Sequence, residues 1–305
     1  MPRPEAPKIL VTGAGGQLGR LVVGHLLDNG TPSIVAATRH PDRLADLAAR
    51  GAELRTADFD NPATLESAFS GIERILIISV PDTPDDPPRR LRQHLAAVDA
   101  AVKAGVRHIV YTSMLNPDPG SPIPFAPDHH CTEQAIESSG IPFTILRPNW
   151  YADSVFMWLP QVLARKRWFT AAVEGRTAHV WRDDLARTAA AALIAAGKES
   201  RYLPVTGPQA LTPAEIITIV NDVFDTSVVL VPVSDAGLRK GLTAAGLPSG
   251  LIELLVALDV NTRRGGVDVV SDTVERLTGK SPRSLRDFLI DNRAALLAAS
   301  DSTSA

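Results

Sequence analysis

Three glycines in the stretch "ILVTGAGGQLGR", residues 9–20, have the spacing that a bound phosphate requires. They follow a run of β-favouring residues and precede helix-forming residues. A tight turn there brings backbone N–H groups close to a pyrophosphate, which Cβ atoms would obstruct. The helix that follows adds unpaired N–H groups and the positive end of its dipole. The pattern predicts nucleotide binding, with a turn that only connects strand to helix as the alternative. We expect the pyrophosphate to lie against Gly13, Gly15, Gly16, Gln17, Leu18 and Gly19.

Arg39 stands about twenty residues after Gly19, at the tip of the second predicted strand, where an NAD-binding protein carries a carboxylate. No carboxylate occupies position 37, 38 or 40. A guanidinium can hold a ribose 2′-phosphate in a bidentate fork, and such a contact is worth roughly 1.5–3 kcal/mol. The sequence therefore favours NADP(H) over NAD(H). The alternative is that Arg39 is a solvated cation at a strand end.

Two further strand ends are expected to contact the dinucleotide. Asp58 and Phe59 close the third predicted strand, where the adenine edge would lie, although Asp58 could instead cap the next helix. Ser79 and Val80 close the fourth strand and are counted with the cofactor-binding residues, because ligands bind at the carboxyl ends of parallel strands.

The elements that must position these residues alternate regularly through the first half of the chain. Six apolar strand-like runs are separated by segments with helical periodicity, which indicates a parallel sheet covered by helices on both faces. We predict an α/β fold, a doubly wound parallel Rossmann sheet. Residues 1–150 would form the NADP(H)-binding domain, joined by a returning strand near 201–207, and residues 151–305 a smaller C-terminal substrate-binding lid that ends in short helices. The predicted strands are 8–13, 33–39, 52–59, 74–80, 108–113 and 142–148.

Composition excludes several classes of partner. The net charge of −3 offers no basic excess for nucleic acid. No apolar run approaches the ~20 residues that a membrane-spanning helix needs. Cys131 is the single cysteine, which suits a reducing, cytoplasmic location. No His, Cys or carboxylate cluster near the predicted site has ligand spacing, so no metal is expected.

The motifs together resemble a known family. The chain is similar to the NmrA-like group of atypical short-chain dehydrogenases/reductases, within it most of all to type 2 NAD(P)H:quinone oxidoreductases and triphenylmethane reductases. The resemblance covers about residues 8–290 and implies a monomeric or homodimeric NADPH-binding protein with its substrate cleft beside "RPNWY". It rests on "VTGAGGQLG", "ATRHPDRL", "ADFDNPATLESAF", "RILIISV", "AGVRHIVYTS", "CTEQAIESSGIPFTILRPNWY" and "RDDLARTAA".

The catalytic residues of the wider superfamily are replaced. Orthodox members use Tyr-x-x-x-Lys, in which a tyrosine protonates the carbonyl oxygen as hydride arrives. None of the three tyrosines here, Tyr111, Tyr151 and Tyr202, has a lysine four residues later. By resemblance, His130 occupies the tyrosine slot, Gln134 the lysine slot, and Ser113 the position of the superfamily serine. His129 or His130 could hydrogen-bond the nicotinamide or the acceptor, or the pair could simply be exposed.

The expected reaction follows from the absence of the Tyr-x-x-x-Lys motif. A ketone needs a proton donor, whereas a quinone or a cationic dye delocalises or cancels the charge it gains. For those acceptors the protein need only hold the two reactants at near-attack distance. We expect a small planar electron acceptor to lie against Asn149, Trp150 and Tyr151. The predicted function is an NADPH-dependent reductase of quinones or similar electron-poor aromatics; the alternative is a non-catalytic NADP(H) sensor that docks a protein partner.

Overall fold

Seven parallel strands form the central sheet of the computed structural model, which describes residues 6–81 and 86–303. The spatial order is β3-β2-β1-β4-β5-β6-β8, so the order reverses between β1 and β4. The two strands not in this sheet, β7 (Arg167–Thr170) and β9 (Val229–Pro232), pair in parallel with each other. The strands of the central sheet are β1 (Ile9–Val11), β2 (Ile34–Thr38), β3 (Glu53–Thr56), β4 (Arg74–Ile77), β5 (His108–Thr112), β6 (Phe143–Pro148) and β8 (Arg201–Val205).

Helices connect these strands and build the C-terminal part. Two short 3₁₀ helices, Pro41–Leu44 and Ala152–Met157, precede α2 and α6. The α-helices are α1 (Gln17–Asp28), α2 (Ala45–Ala49), α3 (Pro62–Phe69), α4 (Pro87–Lys103), α5 (Ala126–Ser138), α6 (Leu159–Arg165), α7 (Arg182–Ile194), α8 (Pro213–Phe224), α9 (Asp235–Ala244), α10 (Ser249–Arg263), α11 (Thr273–Thr278), α12 (Leu285–Asp291) and α13 (Arg293–Thr303).

The sheet is buried on both faces, which explains the unbroken apolar runs of its central strands. On one face α1 and α7 pack Val22, Leu26 and Leu185 against the sheet. On the other face α3, α4 and α5 cover it, as Leu65 and Ile136 illustrate. Each large aliphatic side chain buried in this way contributes about 1.5–3 kcal/mol. The sheet is therefore a rigid platform on which the carboxyl ends of the strands have fixed positions.

The predicted doubly wound sheet is confirmed, and the differences lie in its details. The segment 41–51, one of the stretches with helical periodicity between predicted strands, divides into a 3₁₀ helix and α2. Residues beyond 150 supply α7 and β8 to the sheet, and β8 pairs with β6. β7 is not predicted, because its partner β9 lies about sixty residues later and no local period reveals such pairing. α10, at 15 residues, is longer than the short helices expected there.

The C-terminal part has a core of its own. Leu159 and Val162 of α6 pack with Ile216 and Val220 of α8 and with helices α12 and α13. Across the described residues, none of the helices combines the length and the apolar composition that a membrane crossing needs.

Candidate functional site

The glycine turn joins β1 directly to α1. Gly13 has a φ of +62°, a left-handed conformation that favours glycine, and its carbonyl accepts a hydrogen bond from the Gly16 N–H at 2.9 Å. A Cβ on Gly19 would lie 2.3 Å from the same carbonyl oxygen, so the first turn of α1 packs on the turn itself. The N-cap of α1, Gly16, makes no side-chain capping bond. The first-turn amides of α1 therefore face outward, and this arrangement fits a pyrophosphate.

The residues of this turn have different environments. Gly15, Gly16 and Gln17 are exposed, whereas Leu18 packs into the core that α1 shares with the sheet. Leu18 can therefore contact a dinucleotide only through its backbone. The expectation that these residues bind the pyrophosphate stays a prediction.

Arg39 follows β2 and is exposed. No side-chain hydrogen bond or ion pair joins it to another described residue, and its charge acts on Asp60. The pKa of Asp60 is lowered mainly by the hydrogen bond from Arg89, with a smaller contribution from the charge of Arg39. The guanidinium is thus available to a 2′-phosphate.

Asp58 and Phe59 lie in a turn after β3. The Asp58 carboxylate accepts the Asp60 N–H at 3.1 Å, and its backbone is tied to the Thr64 hydroxyl. The N-cap of α3 is Asn61, without a side-chain bond, so Asp58 closes its own turn and does not cap the helix. Phe59 packs against the core beneath α3 and α4.

The segment after β4, residues 78–80 (the β4 loop), is held by hydrogen bonds to all three of its backbone amides. Each amide donates to a buried side chain, and the three acceptors come from three different elements. The Ile78 N–H donates to Thr12 Oγ1 at 2.9 Å, the Ser79 N–H to Thr112 Oγ1 at 2.9 Å, and the Val80 N–H to His94 Nε2 at 3.0 Å. Any contact of the predicted residues Ser79 and Val80 with a dinucleotide therefore uses their side chains or carbonyl oxygens.

No hydrogen bond or ion pair among the described residues joins the predicted catalytic residues to one another. Ser113, at the carboxyl end of β5, is 5% exposed, and its hydroxyl has no hydrogen-bond partner among the described residues. On α5, Gln134 is exposed, and Glu133 is the inward residue that pairs with Arg147 of β6. His130 is half-buried, with no side-chain hydrogen bond or ion pair to the rest of the described chain. The roles of these three residues stay predictions.

A buried polar cluster replaces the exposed histidine pair that was one of the sequence alternatives. His129 is 3% exposed; its Nε2 accepts from Arg90 at 2.6 Å, and its Nδ1–H donates to the Tyr111 hydroxyl at 2.8 Å. Burial lowers the pKa of His129 well below its usual value, with help from the charge of Arg90, and burial raises the pKa of Tyr111. Both groups are therefore neutral near pH 7, and neither is poised to exchange a proton.

Trp150, which follows β6, belongs to an apolar cluster to which α10 also contributes. Trp150 packs with Met114, Ile123, Phe125 and Leu258. Its Nε1 is buried and has no partner in the part of the chain that the structure describes.

The two residues that flank Trp150 make contacts that stabilise the fold. The Asn149 amide donates to the Val267 carbonyl at 2.9 Å, and its oxygen accepts the Trp150 N–H at 2.8 Å. Tyr151 packs against the core on the α1 side of the sheet, and burial raises its pKa to about 12. Whether an acceptor touches any of the three stays a prediction.

Sequence reasoning missed the residues that hold the β4 loop and the buried cluster. One signal was available: the runs "ILVT" and "IVYT" both end a buried strand with threonine, at Thr12 and Thr112. His94 gave no such signal, because only the packing of α4 on the sheet brings it under the β4 loop.

A glycine turn at the first strand, an uncapped helix N-terminus and a reversal of strand order beside it define a doubly wound dinucleotide-binding protein. The chain belongs to the NAD(P)H-binding family, whose sequence profile matches residues 13–196.

Individual relatives extend the comparison. Quinone oxidoreductase 2 of Escherichia coli (strain K12) is 34% identical over 280 residues, which cover 92% of this chain and 96% of that protein. Its crystal structure in complex with NADPH matches with a TM-score of 0.85, covering 92% and 98% of the two chains. The NADP(H) complex of Citrobacter sp. triphenylmethane reductase matches with a TM-score of 0.82 at 32% identity, covering 96% and 99%. NAD(P)H azoreductase of Xenophilus azovorans is 28% identical over 291 residues, which cover 95% of this chain and all of that protein.

These findings confirm four of the expectations drawn from sequence. The NmrA-like relationship, the Rossmann-type fold, the NAD(P)H cofactor class and the assignment to NAD(P)H-dependent oxidoreductases all agree with the family and with its solved members.

Proposed function

We propose that the protein is an NADPH-dependent reductase that passes a hydride to a quinone or a similar planar, electron-poor acceptor. The observation that carries this proposal is the apolar cluster in which Trp150 and Leu258 pack with Met114, the residue after Ser113. NADPH, when bound, supplies the hydride from its reduced nicotinamide ring. The protein's own contribution is to hold the acceptor flat, exclude water and keep the reacting faces aligned.

The chemistry of the nearby side chains supports such an acceptor. Tyr111 is the tyrosine of β5, yet its hydroxyl is bonded to His129 and its pKa is raised by burial. It is therefore a poor general acid at neutral pH. A quinone suits this environment, because the charge that it gains is delocalised before a proton arrives from solvent.

The preference for the phosphorylated cofactor rests on Arg39. Its guanidinium is exposed at the end of β2, without a hydrogen-bonded partner among the described residues. A 2′-phosphate would give it a charge-assisted, bidentate contact, whereas the 2′-hydroxyl of NADH would not. Two of the similar structures were solved with NADPH or NADP(H) bound, which supports the same choice.

The proposal is tested by following NADPH oxidation with a panel of benzoquinones, naphthoquinones and triphenylmethane dyes. A simple aliphatic ketone serves as the control acceptor. We expect turnover with the planar acceptors and none with the ketone. Tight NADP⁺ binding without turnover of any acceptor would contradict the enzyme and favour the sensor.

A further inference from the structure

His94 differs from the other two groups that hold the β4 loop. Thr12 directly follows β1 and Thr112 ends β5, the strands on either side of β4, so the sheet itself brings them there. His94 comes from α4 and is fully buried. Only the packing of this helix on the sheet puts its Nε2 at 3.0 Å from the Val80 nitrogen.

The hydrogen bonds around His94 fix which ring nitrogen carries the proton. Because Nε2 accepts the Val80 N–H, the proton is on Nδ1, which donates to Thr132 Oγ1 at 3.0 Å. The Thr132 hydroxyl in turn donates to the Asp128 carbonyl at 2.6 Å. Burial, together with the charge of Arg90, lowers the pKa of His94 to about 3, so the ring is neutral under ordinary conditions. The Val80 amide thus ends a chain of fixed donors and acceptors that begins on α5.

The position of the β4 loop relates it to one half of the cofactor. Strand order reverses between β1 and β4, and a dinucleotide crosses the sheet edge at such a reversal. The half containing β1, β2 and β3 carries the glycine turn and Arg39, which suit the adenosine phosphates. The nicotinamide half would therefore lie over the ends of β4 and β5, next to the β4 loop.

We propose that His94 is a positioning residue for the nicotinamide half of the dinucleotide, acting through the backbone of Val80. By accepting the Val80 N–H it fixes the backbone of the β4 loop, and with it the groups that this loop can present to the nicotinamide half. The inference goes beyond the proposed function, because it concerns the binding of the cofactor and is tested without an acceptor.

Two substitutions separate the two hydrogen bonds of the ring. In His94→Gln the amide oxygen takes the place of Nε2 and can still accept from Val80. In His94→Asn the shorter amide takes the place of Nδ1 and reaches only toward Thr132. Each variant and the wild-type protein are titrated with NADP⁺ and with adenosine 2′,5′-bisphosphate, a fragment that lacks the nicotinamide half.

The expected result is a selective loss in one variant. His94→Asn weakens NADP⁺ binding about tenfold, the effect of one lost hydrogen bond, and leaves the fragment unchanged. His94→Gln restores NADP⁺ binding. Equal weakening of both ligands in His94→Asn would overturn the proposal, and so would NADP⁺ binding that is unchanged in that variant or not restored by His94→Gln.

A control and a second variant distinguish a selective loss of cofactor binding from general damage to the fold. His108 is also a buried histidine with two hydrogen bonds, to the Gly197 carbonyl and Thr144, but it begins β5 at the opposite edge of the sheet. His108→Asn should lower stability and leave both affinities unchanged. If the His94 variants do not fold, Thr112→Val keeps the side-chain shape but frees the Ser79 amide. That variant should show the same selective loss of NADP⁺ binding, and equal affinity losses for the two ligands would overturn the proposal.

Discussion

Arg39 illustrates how one side chain can set the specificity of this site. Its guanidinium stands free at the end of β2, close enough to Asp60 to influence the pKa of that carboxyl. The nearby carboxylate is already engaged by Arg89 through two hydrogen bonds, so it competes only weakly for Arg39. A phosphate monoester carries more charge and would displace that weak attraction.

Replacement of Arg39 by alanine should therefore separate the two cofactors. We expect the kcat/KM for NADPH to fall about ten- to a hundredfold, the value of one charge-assisted contact, while that for NADH changes little. Steady-state kinetics with each cofactor measure the ratio. Arg50→Ala is the matched control, since this exposed arginine bonds Asp28 away from the strand ends. Equal losses with both cofactors would contradict the role of Arg39.

Single residues also show where sequence reasoning succeeds and where it stops. The glycine turn was predictable, because its spacing reflects backbone geometry that only glycine satisfies. The environment of His129 was not predictable, since the contacts with Arg90 and Tyr111 join α5 to α4 and β5. Gln134 shows the same limit: the helical period did not reveal that Glu133 faces inward to Arg147.

At the scale of elements, alanine substitutions at two glycines of α1 are expected to change stability in opposite directions, because only one of these glycines packs on the glycine turn. In Gly19→Ala the new Cβ would meet the Gly13 carbonyl at 2.3 Å, and we expect a loss of about 1–3 kcal/mol in stability together with weaker NADP⁺ binding. In Gly24→Ala the nearest atom is the Arg50 guanidinium at 3.9 Å, and we expect a gain of about 0.5–1 kcal/mol.

Denaturant unfolding and NADP⁺ titration measure both effects. The Gly24 variant is the control for alanine in the same helix, so any defect that it shares with the Gly19 variant would not come from the turn. Normal cofactor binding in a folded Gly19→Ala protein would contradict the close packing.

α10 is anchored by a half-buried carboxylate, which gives stability a pH dependence. Asp259 accepts hydrogen bonds from Thr170 Oγ1 at 2.9 Å and the Ala171 N–H at 2.7 Å, and burial raises its pKa despite these bonds and the charge of Arg263. Ionisation therefore costs the folded protein more than the unfolded chain. The stability that protonated Asp259 contributes is fully present at pH values below the ordinary carboxyl pKa, and it is lost as pH rises through the raised pKa of the folded protein.

Asp259→Asn keeps an oxygen for both donors and cannot ionise. We expect its advantage in Tm over the wild-type protein to grow as pH rises from the ordinary carboxyl range toward neutrality. Thermal unfolding of the two proteins over that range measures the difference. A constant difference, or one that shrinks with rising pH, would contradict the role of burial.

For the whole molecule, Asn149 is one of the side chains that link the sheet to the C-terminal segment. Asn149→Ala leaves the Val267 carbonyl and the Trp150 N–H without their partners, which costs about 1–3 kcal/mol. We expect faster hydrogen exchange at residues 265–268. Asn292→Ala, which removes a bond within one helix end, should leave exchange there unchanged. Unaltered exchange in the Asn149 variant would show that the link is not needed.

The overall architecture was more predictable than the C-terminal part for a physical reason. The six strands and helices of the first half each carry a local period, and right-handed crossovers leave few ways to arrange them. β7 and β9 pair only with each other, and α10 gains its position from Asp259 and Leu258. Such contacts join distant segments, so local periodicity does not contain them. The monomeric or homodimeric state and the division at residue 150 stay predictions.

The order in which residues enter the core of the C-terminal part has a consequence for biosynthesis. Leu296 of α13 packs with Ala152 and Leu159, so the last helix closes a cluster that begins about halfway along the chain. A nascent chain that leaves the ribosome from its N-terminus must expose those apolar residues until α13 emerges. The sheet can form meanwhile, and during that interval the incomplete C-terminal cluster is open to a chaperone.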